Sequence, residues 1–221
     1  MIKLSRSPLA PGLQAKIDER VQRLLGYIQR GEAPPTALLA AYRAPEVKAH
    51  LVLEAHGKCA YCESKITHVY FGDIEHIKPK STFPAETLTL ENLLLACALC
   101  NNSKGDFWND ALPLINPYED NPDEELFAFG YFIARRPGKD RARVTIEKLT
   151  LNRQALLERR KERVELLQPL VDQYVQAPEG PLKDLLEQEL YRQSNGDTEY
   201  SLTVRTFLHA ACGINASTPA E

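Results

Sequence analysis

Two stretches decide how this chain reads: Lys58-Cys59-Ala60-Tyr61-Cys62, and Ala96-Cys97-Ala98-Leu99-Cys100-Asn101-Asn102-Ser103-Lys104-Gly105. Each contains a Cys-x-x-Cys knuckle. Four thiolates in two such pairs predict one closed tetrahedral zinc site of the structural kind, with Cys59, Cys62, Cys97 and Cys100 as ligands. Positions 63 to 96, thirty-four residues, separate the knuckles. That is longer than a plain zinc ribbon and leaves room for a two-stranded excursion. Paired knuckles also argue against a disulfide framework. The fifth cysteine, Cys212, stands among Ala210, Ala211 and Gly213 and reads as a small apolar residue.

The excursion carries the reactive side chains, Gly72-Asp73-Ile74-Glu75-His76-Ile77-Lys78-Pro79-Lys80-Ser81. Cleaving a phosphodiester requires a base for water, positive charge for the phosphorane and a hold on the leaving oxygen. A neutral imidazole at His76 suits the first role near pH 7. Carboxylate and amide oxygens suit a hard cation such as magnesium. Lys78 and Lys80 add positive charge beside the dyad, whereas His50, His56, His68 and His209 read as structural. Strand geometry constrains the choice of metal ligands. Neighbours on a regular strand face opposite sides, so Glu75 and His76 share one site only if the backbone breaks, as Pro79 allows. On an unbroken strand Asp73 and Glu75 share a face, and Asp73 becomes the better second ligand.

The order Cys-x-x-Cys, Glu-His-Ile-x-Pro-Lys, Glu-Asn-Leu, Cys-x-x-Cys-Asn-x-x-Lys-Gly resembles the HNH endonuclease superfamily and its ββα-metal fold. The resemblance implies an α+β chain: a zinc-bearing HNH core embedded in N- and C-terminal helices. It implies that His76 is the general base and that Glu75 holds a catalytic Mg2+ or Mn2+. Asn92 matches the asparagine that positions the loop and the base, Asn101 a further metal ligand, and Lys104 a phosphate contact. With Lys78 and Lys80, Lys104 makes up the expected nucleic-acid contacts. Two positions depart from the commoner pattern: Glu replaces Asp before the histidine, and Asn replaces His on the helix. Both departures suit magnesium better than a tightly held transition metal.

Met1-Ile2-Lys3-Leu4-x-Arg6, Ala41-Tyr42-Arg43 to Val47-Lys48, Asn116-Pro117-Tyr118 and Leu151-Asn152-Arg153 are similar to one branch of that superfamily. It holds the HNH nucleases of Septu-type and retron-associated anti-phage defence systems. That likeness implies a DNA substrate, with RNA left open, and an ABC/SMC-like ATPase partner in a hetero-oligomer. Two other readings compete: a zinc-dependent module that grips nucleic acid or protein without cutting, and a stand-alone restriction-type nuclease.

Composition sets wider bounds. The sequence has 221 residues, 43% hydrophobic and 26% charged, with a formal net charge of −3. These values are ordinary for a globular protein. No apolar run is long enough for a membrane span, and the first residues lack a signal-peptide core, so a cytoplasmic protein is expected. The charge is uneven. From Arg135 to Arg163 eleven Lys/Arg face four Asp/Glu, a candidate phosphate-tracking surface, and Glu119, Asp120, Asp123, Glu124 and Glu125 form an acidic run upstream.

Three segments follow: helices over 1–57, the zinc-stabilised core over 58–112, and a connector, hairpin and helices over 113–221. Apolar residues at three- and four-residue spacing predict a helix over 13–30 that ends at Gly31, with a second at 36–43 and a third at 45–56. Residues 66–71 and 73–77 read as strands, 91–96 as a strand, and the residues after Cys100 as a helix. Further on, 126–134 and 143–146 read as a hairpin about Pro137-Gly138. Asn152 reads as the cap of a long helix to 176, followed by helices over 181–193 and 198–211.

Overall fold

The computed structural model describes residues 1–67 and 70–215. It is a mixed α+β structure with two two-stranded sheets among the described residues. The chain divides into two compact units: Ser5–Ala60 with Lys65–Ala111, and Met1–Leu4 with Tyr61–Ser64 and the chain from Leu112 on.

The unit that carries the candidate site begins with α1 (Pro11–Gln29), α2 (Thr36–Leu39), a 3-10 turn (Ala41–Arg43) and α3 (Pro45–Glu54). Pro11 and Pro45 occupy first-turn positions, where the missing N–H costs nothing. After α1, Gly31 takes a left-handed φ of +66° and its N–H reaches Ile28 O at 3.0 Å. Next come β1 (Asp73–His76), β2 (Leu93–Ala96) and α4 (Ala98–Lys104), a ββα unit. The strands are antiparallel, pairing Asp73 with Ala96 and His76 with Leu93. All four residues of β2 are buried, because α3 packs over the ladder and α4 over β1. A continuous apolar run is what a strand covered on both faces requires.

The run 66–71 differs from its expected strand. Positions 68 and 69 lie outside the described residues. Around them, Lys58 and Lys65 form one isolated bridge, and the Tyr70 N–H closes a turn onto Ile66 O at 2.9 Å. Gly72 then breaks the extended backbone at φ +67°. A Cβ there would stand 2.7 Å from Ile66 Cδ1 and 2.9 Å from Leu95 Cδ1, which would have to shift, and the positive φ would strain any other residue, so glycine is favoured.

The other unit holds β3 (Leu126–Phe129), β4 (Phe132–Arg135), α5 (Asp140–Lys148), α6 (Gln154–Gln176), α7 (Pro181–Gln193) and α8 (Ser201–Cys212). Leu167, Val171, Leu190, Val204 and Leu208 form its core across α6, α7 and α8, and Cys212 packs partly buried against them. The hairpin turns at Gly130-Tyr131, with Gly130 at φ +58°, rather than at Pro137-Gly138. Arg143–Ile146 is helical, within α5, where Ala142 and Thr145 form the buried stripe. Asn152 does not cap α6. Its amide clasps β4, accepting from Ile133 N and donating to Ile133 O, both at 2.8 Å.

The two charge runs lie in this unit and compensate each other in part. Arg141 meets Asp120, Arg205 meets Asp123 at 3.0 Å and Lys139 meets Glu125 at 3.5 Å. Arg143 and Arg159 pair along their own helices with Glu147 and Glu162. Part of the basic segment is therefore ion-paired rather than bare.

Candidate active site

The four knuckle cysteines converge: their sulfurs all lie within 4.8 Å of one another. A tetrahedral zinc with bonds of 2.3 Å needs sulfurs about 3.8 Å apart, so the donor set fits that ion with little adjustment. Cys97 sits at the N-cap of α4, where its Sγ accepts from Cys100 N at 3.4 Å. The second knuckle thereby fixes the start of the helix that carries Asn101 and Lys104.

Beside β1 opens a cleft of about 770 Å³, lined by Asp73, Glu75, His76, Lys80, Asn101 and Lys104 and by three residues from the helices before the knuckles: Tyr42, Arg43 and Lys48. Asp73 is bound to α4 directly, for Asn101 Nδ2 donates to its Oδ2 at 3.0 Å. Tyr70 donates to the other carboxylate oxygen at 2.6 Å. Asn101 thus keeps its amide oxygen available while its nitrogen holds the carboxylate.

Glu75 is buried, 6% exposed. Lys104 Nζ stands 2.6 Å from its Oε1, a charge contact not aligned as a hydrogen bond. Burial pushes the Glu75 carboxyl up, the Lys104 ammonium partly offsets this, and nearby Asp73 adds to the rise. Lys104 is itself buried and donates to His76 O at 2.7 Å. Its ammonium braces β1 from beneath.

His76 has its ring orientation set from both sides. Nε2 lies 3.0 Å from Thr87 O. A carbonyl can only accept, so Nε2 carries the proton and Nδ1 keeps its lone pair. The Tyr42 ring meets the imidazole edge-on, centroids 4.6 Å apart. Burial lowers the His76 pKa to about 4, with the Thr87 carbonyl opposing and the Lys80, Lys104 and Arg43 charges reinforcing. The imidazole is neutral at pH 7.

Asn92 lies behind the cleft rather than among its lining. Its Oδ1 accepts from Lys78 N at 2.7 Å, and its Nδ2 donates to Lys78 O at 3.0 Å and Glu86 O at 3.2 Å. It thereby ties the loop after β1 to the residue preceding Thr87. Lys78 is paired with Glu86 at 2.9 Å and lies against Phe83 and Trp108. Lys80 is exposed and donates to Tyr42 OH at 3.2 Å, where Arg43 Nε also donates at 3.1 Å. Burial works against it, yet these two cations bring the Tyr42 phenol below its ordinary pKa. Lys48 donates to Gly72 O, and burial lowers its pKa against the pull of Asp73.

Sequence reasoning left Tyr42, Arg43, Lys48 and Thr87 out of the site. The first three lie in the Tyr42-Arg43 to Lys48 segment singled out by resemblance. Thr87 contributes a backbone carbonyl, which no side-chain pattern reveals.

Residues 59–107 match the family model described as HNH endonuclease. This segment is an HNH domain. The chain is 30% identical over 154 residues to Septu protein PtuB of Bacillus thuringiensis, covering 69% of this chain and 55% of that protein. It is also 30% identical over 151 residues to Septu protein PtuB of Bacillus mycoides strain KBAB4, covering 54% of this chain and 51% of that protein. The chain spans about half the length of the curated relatives it matches. Among the described residues no helix is long and apolar enough to cross a membrane.

Proposed function

We propose that this chain is a metal-dependent HNH endonuclease that hydrolyses phosphodiester bonds of DNA. The observation that carries the reading is the placement of His76: Nε2–H is committed to Thr87 O, which leaves Nδ1 as the free ring nitrogen in one cleft with Asp73, Glu75 and Asn101. Nδ1 is then the atom that takes a proton from the attacking water. The Asp73 and Glu75 carboxylates and the Asn101 amide oxygen form a hard-oxygen set suited to Mg2+ or Mn2+. When bound, such an ion supplies positive charge to the phosphorane. Asn92 acts as a positioning residue through the loop that presents Thr87, Lys104 holds Glu75 in place, and Lys80 with Arg43 supplies cations for the phosphate. Zinc on the four cysteines fixes both ends of this assembly.

The similarity to Septu protein PtuB supports a role as the nuclease subunit of an anti-phage defence complex with an ABC/SMC-like ATPase partner. Plasmid nicking in magnesium or manganese, with and without a co-expressed neighbouring ATPase, tests the activity. His76→Ala should abolish cleavage while leaving zinc content and fold unchanged. Cleavage that survives in that variant would remove His76 from the mechanism. A wild-type chain that binds DNA yet never cuts it, with any divalent ion or partner, would leave a binding module.

A further inference from the structure

Next to the cleft lies a second hollow, about 400 Å³, within the same compact unit. Arg20 and Arg23 of α1 and Arg43 line it, together with the small side chains of Ala40, Ala41 and Ala44. Arg43 lines both hollows. No carboxylate lines the second one. Arg20 and Arg43 make no ion pair among the described residues, and the acid nearest Arg23 is Glu19, at 3.8 Å with both side chains more than half exposed.

Other arginines of the molecule do meet carboxylates, as Arg141 with Asp120 and Arg205 with Asp123 show. Two guanidinium groups without a carboxylate partner and a third, Arg23, with only an exposed one repel one another around one concavity, so stability alone does not account for them. A concave wall of one sign concentrates its field on a ligand of the other sign. Guanidinium forks match phosphate oxygens two at a time. Alanines between them let a bulky backbone approach closely.

We propose that this hollow is a continuation of the nucleic-acid path, outside the HNH domain: Arg20 and Arg23 bind backbone phosphates adjacent to the one in the cleft, and Arg43 bridges the two sites. The ligand named rests on the nuclease reading of the cleft, but the contact is with the sugar–phosphate backbone and is independent of base sequence.

The test measures binding, not cutting. In the His76→Ala background, affinity for a fluorescent DNA duplex is followed across a salt series. Each phosphate contact contributes a slope of about 0.9 in log K against log salt, so Arg20→Gln with Arg23→Gln should make the slope shallower by about 2. Arg20→Lys with Arg23→Lys should retain most of the slope. Arg159→Gln with Lys161→Gln, an equal charge change on α6, should leave it as it was. An unchanged slope in the Gln pair, or an equal loss in the α6 pair, would overturn the inference, as would lysines that fail to retain the slope. Failure of the nuclease reading appears separately, as a wild-type chain that binds along this path without cleaving.

Discussion

Lys104 separates two accounts of the site by free energy. The resemblance assigns it a phosphate contact, whereas the structure buries it under β1, with the Lys104 and Glu75 side chains 1% and 8% exposed. Its ammonium lies 2.6 Å from Glu75 Oε1 and 2.7 Å from His76 O. In Lys104→Met the volume is nearly kept, so the cavity contribution is small. The loss comes from leaving the Glu75 carboxylate buried without its cation. Removing one partner of such a pair costs about 3–5 kcal/mol. Glu75→Gln combined with Lys104→Met should recover much of that, since no unpaired charge remains.

The assay is urea unfolding followed by fluorescence of Trp108, the chain's single tryptophan. Trp108 stacks edge-on against Phe83 at 5.1 Å in the same compact unit as the cleft, so its emission reports the relevant unfolding. A wild-type unfolding midpoint in Lys104→Met, together with a shallower salt dependence of DNA binding, would refute the brace and restore the phosphate contact.

Asn92→Ala removes three side-chain hydrogen bonds and should cost about 3 kcal/mol at about 1 kcal/mol each. Faster hydrogen exchange at the Lys78 amide should accompany it, and an unchanged exchange rate would contradict the clamp. Tyr42→Phe keeps the ring against His76 but releases Lys80 and Arg43, so DNA affinity should fall several-fold with thermal stability nearly unchanged; equal affinity in a titration would count against the phenol as their anchor. Cys59→Ala, or chelation of zinc, should unfold residues 59–107 and shift Trp108 emission to the red, because metal binding is part of the folding free energy. Native emission after the metal is removed would mean that the knuckles stand without it.

The knuckles were legible because thiolate pairs at two-residue spacing rarely serve anything but a metal, and β2 because an apolar run that short can be covered on both faces. The hairpin was misplaced because Pro137-Gly138 is the louder turn signal, while Gly130-Tyr131 needs only one positive φ to match the twist of its strands. Arg143–Ile146 alternates like a strand, yet it is Ala142 and Thr145, three apart, that are buried, and Thr145 Oγ1 receives Ile115 N at 3.0 Å. That long-range partner is invisible in a window of local sequence. The charge runs misled for the same reason. Counting residues from Arg135 to Arg163 gives an excess of positive charge, but the acids that cancel part of it lie ahead of the run at Asp120 and Glu125, or just past its end at Glu165.

The difficulty over strand alternation resolves in the topology. Asp73 and Glu75 do share one side of β1, toward Asn101 and Lys104 of α4. His76 turns to the other side, toward Tyr42 and Thr87 O. No break in the strand was needed to bring them to one cleft, because among the described residues β1 pairs with β2 alone and its second edge has no strand beside it. Six consecutive residues, Phe71 to His76, line the cleft. A groove that runs along an unpaired edge meets side chains from both faces of the strand. In a wider sheet a third strand would occupy that edge and separate His76 from the carboxylates. The smallness of the sheet is therefore part of the proposed chemistry, and so is whatever keeps it folded: two strands of four residues cannot hold themselves. The cysteine cluster and the buried Lys104 supply that hold from opposite ends of α4.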